Sequence, residues 1–500
     1  MQINSVREIS AEPGQTASAA ETQHASVKRR DFSADALVVT FGSLAAAVFG
    51  AALVFVIPRL LSVEEFGYWR LFLLYAGYTG LLHLGCADGA LLAWAGRDLQ
   101  DFGHEIRPAA RFILVQHLVF VLPVAVAAAL LLPAQVRFIA AGVFVFALIQ
   151  NVSVLLQSSL QAARDFVPVT VATTAPSVLF LLLSFAGSRL VVLHHRTLIV
   201  FYLLSTLAML GLMWKHARAF WHLSSVSAWD TGTKFIGVGW AVMLTNFSFG
   251  MTQTADRLII SSVFPIYQFA QYSLAASVIM VPGMVINGLS RVYFPHLAAR
   301  EAEKHPGTYR QAARLIAVAW SILLPYYILV EIVVRHYLGK YTPSLPIVRV
   351  LLLEVVFFGF IQILQASMFN LYRRQREFFL YAVIALVGTC VLIGITAFVT
   401  RSLVLIAWVQ VSAMAAWALF NAYRLRTASG ETFSHWARIL ALLACSAAAL
   451  LLVPLLTQVS VLQILLYYAM TALPLVALFR GELLMLARGT RSLVCSAVQM

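Results

Sequence analysis

Between residues 35 and 486 the chain is almost entirely a succession of apolar stretches joined by short polar breaks. An apolar helix of about 20 residues crosses a bilayer core. Fourteen stretches qualify: 35–61, 68–95, 109–132, 136–160, 166–188, 191–214, 235–262, 267–294, 311–335, 345–371, 377–399, 403–422, 436–457 and 461–486. The breaks carry turn residues or charge: Pro58 and Arg59 with Glu64 and Glu65, Arg97 to Pro108, Pro133, Arg164 with Asp165, and Arg373 to Glu377. Composition agrees, since 61% of the 500 residues are hydrophobic and 11% charged, where soluble domains run near half and a quarter. The expectation is an all-α, polytopic membrane protein of about fourteen transmembrane helices.

The net charge of +14 would suggest nucleic acid in a soluble protein. Here its distribution matters more. With the N-terminus placed in the cytoplasm, cytoplasmic segments hold 25 of the 35 Lys and Arg residues and the opposite loops hold 8. Arg257 and Arg349 are left close to outer helix ends. Such a bias orients a membrane protein with both termini cytoplasmic, so no nucleic-acid partner is expected. Residues 1–34 are polar and read as a disordered cytoplasmic tail ending in Lys28-Arg29-Arg30. No cleavable signal fits, and the first span is expected to insert as an uncleaved anchor.

No connection between spans exceeds about twenty residues, which excludes a large extramembrane catalytic domain. Gly339-Lys340 lacks the upstream glycine of a phosphate loop. Cys86, Cys390, Cys445 and Cys495 show no disulfide or zinc spacing. A non-enzymatic protein without cofactor or metal is expected.

Two segments recur six helices apart. Arg59-Leu60-Leu61 with Phe66-Gly67-Tyr68 is echoed by Arg257-Leu258-Ile259 with Ala270-Gln271-Tyr272. Leu156-Gln157-Ser158-Ser159-Leu160 with Arg164-Asp165-Phe166 is echoed by Leu364-Gln365-Ala366-Ser367-Met368 with Arg376-Glu377-Phe378. An even offset preserves membrane direction, so the halves would relate by a pseudo-two-fold axis along the membrane normal. The expected domains are a six-helix bundle at 35–214, a cytoplasmic linker at 215–233, a second six-helix bundle at 234–422, two further helices at 436–486, and a cytoplasmic tail at 487–500.

These motifs resemble a family. Arg59 to Tyr68, Leu84-Gly85 followed by Arg97, Ala255-Asp256-Arg257-Leu258-Ile259-Ile260, Gln271-Tyr272-Ser273 and Tyr293-Phe294-Pro295-His296-Leu297 resemble bacterial polysaccharide flippases. Those flippases form the oligosaccharide-lipid branch of the multidrug/oligosaccharidyl-lipid/polysaccharide exporter superfamily. The resemblance covers roughly residues 35–400. It departs at Gln271, where the family often has Gly, and at Asp88, a charge inside a helix. It implies a V-shaped transporter in the bacterial inner membrane that moves an undecaprenyl-diphosphate-linked oligosaccharide to the periplasmic leaflet, for exopolysaccharide, capsule or O-antigen synthesis. A monomeric transport unit amid membrane lipids is implied, with room for assembly with a polysaccharide polymerase or export machinery.

A charged, sugar-bearing amphiphile needs polar residues within spans. Asn246, Gln253 and Arg257 fall within about 40° on one helix, at 100° per residue. Gln150, Ser153, Gln157 and Gln161 share a face of about 80°. Glu354, Gln362 and Gln365 form a matching stripe in the repeat partner. Amides suit sugar hydroxyls and arginine suits phosphate, so Arg257 and Arg349 are cationic candidates. Interhelical hydrogen bonding explains the amides equally well, and snorkelling from a helix end explains Arg257. Arg291 has the same explanation, and Glu331 is expected to pair with Arg335. Glu354 and Asp88 are candidates for coupling to a proton or sodium, Asp88 with His83 as its neighbour. A buried, satisfied histidine is the competing reading there. Two other functions stay open: a multidrug cation antiporter of the same superfamily, and a polysaccharide polymerase or ligase using Arg189, His194, His195 and Arg196. Residues 36–61 hold no Asp or Glu of the kind many such antiporters use.

Overall fold

The computed structural model describes residues 45, 48–95, 97, 99–163, 165–217, 226–298, 305–429, 433–457 and 459–498. The expected tail 1–34, part of the first span, Arg164 and part of the linker 215–233 lie outside the described residues, as do the side chains of Arg291 and Cys495. The regular structure described is all helical, the form that pairs every backbone group within its own segment in hydrocarbon.

Twelve described helices are long and apolar enough to cross a membrane, from Asp101–Ala128 to Ser460–Met485. They match the third to fourteenth stretches of the sequence. The first is represented by α1 (Val48–Leu60). The second does not form one helix. It divides into α2 (Val63–Ala76), a 3-10 turn (Thr79–His83) and α3 (Cys86–Trp94). Leu84 and Gly85 between them take left-handed conformations, φ 54° and 84°, which glycine adopts at little cost.

Next come α4 (Leu99–Gln116), a π turn (His117–Val121) and α5 (Leu122–Leu131). The fourth to sixth spans are α6 (Ala134–Ala162), α7 (Phe166–Leu190) and α8 (His195–Ala217). The seventh divides at Gln253–Thr254 into α9 (Ala228–Thr252) and α10 (Ala255–Val263), and the eighth is α11 (Ile266–Ala298). Pro325 separates α12 (His305–Leu323) from α13 (Tyr326–Tyr337). The tenth stretch is the most broken: α14 (Leu345–Leu351), α15 (Glu354–Gly359), a π turn (Phe360–Gln365) and α16 (Ala366–Leu371). Four further spans follow, α17 (Gln375–Thr400), α18 (Leu403–Ser429), α19 (Phe433–Leu456) and α20 (Ser460–Val498). In α20 Phe479 departs from helical geometry.

Two buried apolar clusters hold the helices together. One gathers Cys86, Trp94, Phe102, Phe112, Leu155, Met213 and Phe235. The other runs from Ile57 and Phe72 through Tyr272, Tyr341 and Phe360 to Tyr467, and so joins both halves of the chain. Apolar side chains such as Phe185, Phe398 and Leu473 remain exposed on outer helix faces, as expected where lipid is the solvent.

The halves meet at both ends of the bundle. At the end that the basic residues assign to the cytoplasm, α9 packs on α3 and α4. A Cβ on Gly89 would lie 1.9 Å from the Phe235 carbonyl oxygen, and one on Gly239 would lie 2.1 Å from that of Gly85. Trp94 packs edge-on to Phe235 at 5.3 Å, and Lys234 donates to Glu105 at 3.1 Å. At the other end α2 packs on α11, with Gly67 against Ile266. Arg59 donates to the Tyr337 carbonyl at 3.2 Å, Lys340 donates to that of Leu61, and Phe66 meets the Tyr341 ring at 5.5 Å.

The outer basic cluster is tied into this frame. Glu65 accepts hydrogen bonds from the His195 backbone N–H and from His195 Nδ1 at 2.7 Å. Arg189 and Arg196 lie over the Phe185 and Phe138 rings. Burial alone would raise the Glu65 carboxyl, but the hydrogen bonds from His195 outweigh it and hold the group below its ordinary range. A carboxyl lowered by folding contributes stability at neutral pH and loses it as pH falls. Glu65→Gln is therefore expected to lower Tm at pH 7, with the difference from wild type vanishing below the carboxylate range; a difference constant with pH would contradict this. Gly239→Leu is expected to push α9 away from α3 and expose the fully buried Cys86. Maleimide labelling of Cys86 checks it, and unchanged protection would refute the close approach.

Candidate functional site

The break after Thr252, at the end of a membrane-length helix, gathers a group of buried polar side chains. Because the helix stops at Thr252 and restarts at Ala255, the carbonyls of Thr252 and Gln253 lose helical partners. Arg257 Nη2 donates back to the Gln253 carbonyl at 2.7 Å, and Gln410 Nε2 of α18 donates to that of Thr252 at 3.3 Å. The restart also carries Asp256, 3% exposed, inward. Its Oδ1 accepts from the Arg257 backbone N–H at 2.7 Å, and its Oδ2 from the Tyr272 hydroxyl of α11 at 2.7 Å. Arg257 Nε lies 3.6 Å from Oδ1.

Glu354 joins the group at the start of α15, where the tenth span is itself broken. Gln410 Nε2 donates to its Oε1 at 3.1 Å, and both Asp256 and Arg257 lie within its electrostatic range. Glu354 is 9% exposed, and no cationic side chain among the described residues reaches it at ion-pair distance. Arg70 of α2 lies within electrostatic range of Arg257, so the first half of the chain contributes a second cation. The Nε atoms of Arg70 and Arg257 and the Oε1 of Gln410 are buried without hydrogen-bond partners. Two carboxylates and a guanidinium in an apolar interior form a site that can exchange a proton or small cation and can attract an anion.

The expected candidates separate accordingly. Arg257 and Glu354 fall in one cluster. The break interrupts the helix on which Asn246, Gln253 and Arg257 were expected to form a stripe: Asn246 is exposed and Gln253 caps α9. Arg349 of α14 donates to the Tyr327 hydroxyl at 2.9 Å, with its guanidinium 4.8 Å from that ring. Gln365 is spent on structure, donating to the Ala418 carbonyl at 2.7 Å and accepting from Asn421 at 3.1 Å. Gln362 is half-buried in the π turn. In α6 the helix is unbroken, so Gln150, Ser153, Gln157 and Gln161 keep their common face. Gln150 lines a cavity, Gln157 and Gln161 are half-buried, and Ser153 donates to the Ile149 carbonyl. Asp88 Oδ2 lies 3.9 Å from His83 Nε2 across the α2–α3 break. Glu331 pairs with Arg335 at 2.7 Å.

Sequence periodicity missed Asp256, Tyr272, Gln410 and Arg70. Asp256 falls off the stripe of an ideal helix, and the break brings it in. Gln410 carried a usable signal, as a lone amide within an apolar span. Tyr272→Phe leaves Asp256 Oδ2 buried without its donor and is expected to cost about 1–3 kcal/mol, seen as a lower Tm in detergent. Glu354→Gln removes a buried charge while keeping its shape, and leaves Tm unchanged or raised. A fall as large as that of Tyr272→Phe would rule out an ionisable group held without a cationic partner.

The helix order defines an all-helical, multi-pass membrane fold. Residues 108–342 match the family described as "Polysaccharide biosynthesis protein". The fold is similar to the lipid II flippase MurJ in an inward closed conformation, with a TM-score of 0.68 at 12% identity over 89% of this chain and 100% of that one. It is also similar to the inward-facing conformation of a multidrug resistance MATE family transporter of the MOP superfamily, with a TM-score of 0.55 at 15% identity over 77% and 99% of the two chains. No curated protein matches by sequence. The family match lies within the stretch where the motifs resemble polysaccharide flippases, and the two solved structures share the fold of this chain.

Proposed function

We propose that this protein is a flippase for an undecaprenyl-diphosphate-linked oligosaccharide, carrying it from the cytoplasmic to the periplasmic leaflet of a bacterial inner membrane by alternating access. Both termini would then be cytoplasmic, and the halves of the chain would rock about the interior. The observation that carries this reading is the buried Arg257–Asp256–Glu354 cluster, built at two helix breaks. Arg257, with Arg70 nearby, supplies the positive field that a diphosphate needs. Asp256 and Glu354 supply a place where a proton or cation enters as the anion leaves. Binding at a buried carboxylate weakens its hold on the guanidinium, so occupancy of one ligand is linked to the affinity for the other.

Contacts at both ends of the bundle also support alternation, since each must open in turn while the other stays shut. No catalytic step is required of the chain. Glu65 occupies His195, and Arg189 and Arg196 rest on aromatic rings, which disfavours the polymerase or ligase reading of that cluster. The buried carboxylates are equally at home in a cation antiporter, so transport must discriminate.

Purified protein in vesicles loaded with an undecaprenyl-diphosphate-linked glycan is expected to expose that glycan to an external glycosidase. Arg257→Ala should slow exposure by about tenfold or more, the loss of a charge-assisted hydrogen bond worth about 1.5–3 kcal/mol. Glu354→Gln should retain lipid binding but lose dependence on an imposed proton or sodium gradient. Exposure at the rate of empty vesicles, together with efflux of cationic dyes, would replace this reading with the antiporter.

A further inference from the structure

A second polar centre lies apart from the Arg257 cluster, where α2, the 3-10 turn, α6 and α8 meet. It surrounds a cavity of about 320 Å³ lined by Leu73, Ala76, Gly77, Thr79, Gly80, His83, Phe146, Gln150, Asn151, Val154 and Tyr202. The volume lies at the lower end of ligand pockets, enough for a single sugar ring.

The wall is held by a fixed set of hydrogen bonds. Asn151 is 0% exposed and spends both amide hydrogens, one on the Thr79 carbonyl at 3.0 Å and one on His117 Nε2 at 2.9 Å. His117 Nδ1 in turn donates to the Ile113 carbonyl at 2.8 Å, which fixes the neutral tautomer. Asn151 Oδ1 is left buried with no donor. His83 Nδ1 accepts from the Gly85 N–H at 3.0 Å, so its Nε2 is the nitrogen that carries hydrogen. Among the described residues Gln150 and the Tyr202 hydroxyl have no hydrogen-bond partner. The free groups are an acceptor at Asn151, a donor and acceptor at Gln150, and a hydroxyl at Tyr202. Phe146 stacks on Tyr202, at 5.5 Å between ring centres, and presents an apolar face beside them.

The lining holds no lysine, arginine or carboxylate, so it offers nothing to a diphosphate. A mixed set of neutral donors and acceptors next to an aromatic face suits a polyhydroxylated, uncharged ring. A dry apolar ligand would leave Asn151 Oδ1 unpaired, at a cost of about 1–3 kcal/mol. We propose that the cavity between α2, the Thr79–His83 turn, α6 and α8 is a binding subsite for one neutral monosaccharide unit, separate from the cationic site for the diphosphate. The inference deepens the flippase reading and rests on it for the source of the sugar.

Saturation-transfer difference NMR tests it with the full-length protein in lipid nanodiscs and a panel of methyl hexosides and methyl N-acetylhexosaminides at millimolar concentration. At least one glycoside is expected to receive saturation from wild type, and to lose at least threefold of it in Gln150→Leu and in Tyr202→Phe. Neither substitution strips a partner from a buried group, and an unchanged Tm confirms that both variants are folded. Glycoside signals equal in wild type and both variants, or absent from all three, overturn the subsite. Vesicle transport separates this from the flippase reading: bound glycoside without glycolipid transport removes the flippase and leaves the subsite. Transport with no Gln150-dependent glycoside signal does the reverse.

Discussion

Every backbone carbonyl that a broken helix frees inside hydrocarbon must find a donor, and this requirement organises the protein. The second span breaks in mid-course, the seventh at the end of its membrane-length helix, and the tenth just before Glu354. At the first two, side chains supply the donors. Gln116 donates to the Leu82 carbonyl at 2.7 Å and Asn151 to that of Thr79. Gln410 and Arg257 serve the Thr252 and Gln253 carbonyls, and Gln365 ties the tenth span to α18 through Ala418. Beside those bonds stand Asp256, Glu354 and Arg257 at one centre, and Gln150, Tyr202 and Asn151 Oδ1 at the other.

The two centres differ in charge because of what surrounds each break. At Gln253–Thr254 the chain restarts with Asp256 and Arg257, so satisfying the backbone also fixes a carboxylate and a guanidinium in the interior. At Leu84–Gly85 the work falls to neutral groups, with Asp88 set to one side near His83. One protein therefore holds a charged polar centre and an uncharged one.

The contacts that close the ends are modest ones. Lys234 is more than half exposed in its pair with Glu105, and such pairs contribute about 0–1 kcal/mol. The outer end relies on single hydrogen bonds from Arg59 and Lys340 and on one aromatic contact. Glycines at 67, 85, 89 and 239 do the closer fitting, since they let helices touch without committing polar groups. An interface of that kind can separate at a cost of a few kcal/mol, as alternation between two open states demands.

The third to fourteenth spans and the all-helical class were legible in the sequence, because apolar length is a local property. The Glu331–Arg335 pair was legible for the same reason, being one turn apart on one helix. Arg257 and Glu354 stood out as charges in apolar runs. Their union with Asp256, Tyr272, Gln410 and Arg70 was not legible, since helical arithmetic assumes an unbroken helix and the seventh span breaks between Gln253 and Ala255. Sequence likewise could not say that Gln365 would be consumed by Asn421 while Gln150 kept its amide free: both are glutamines in apolar helices. Hydropathy and charge determined where the chain crosses the membrane. Only the tertiary structure decided which polar groups are hydrogen-bonded and which stay free, because that depends on partners tens to more than a hundred residues away.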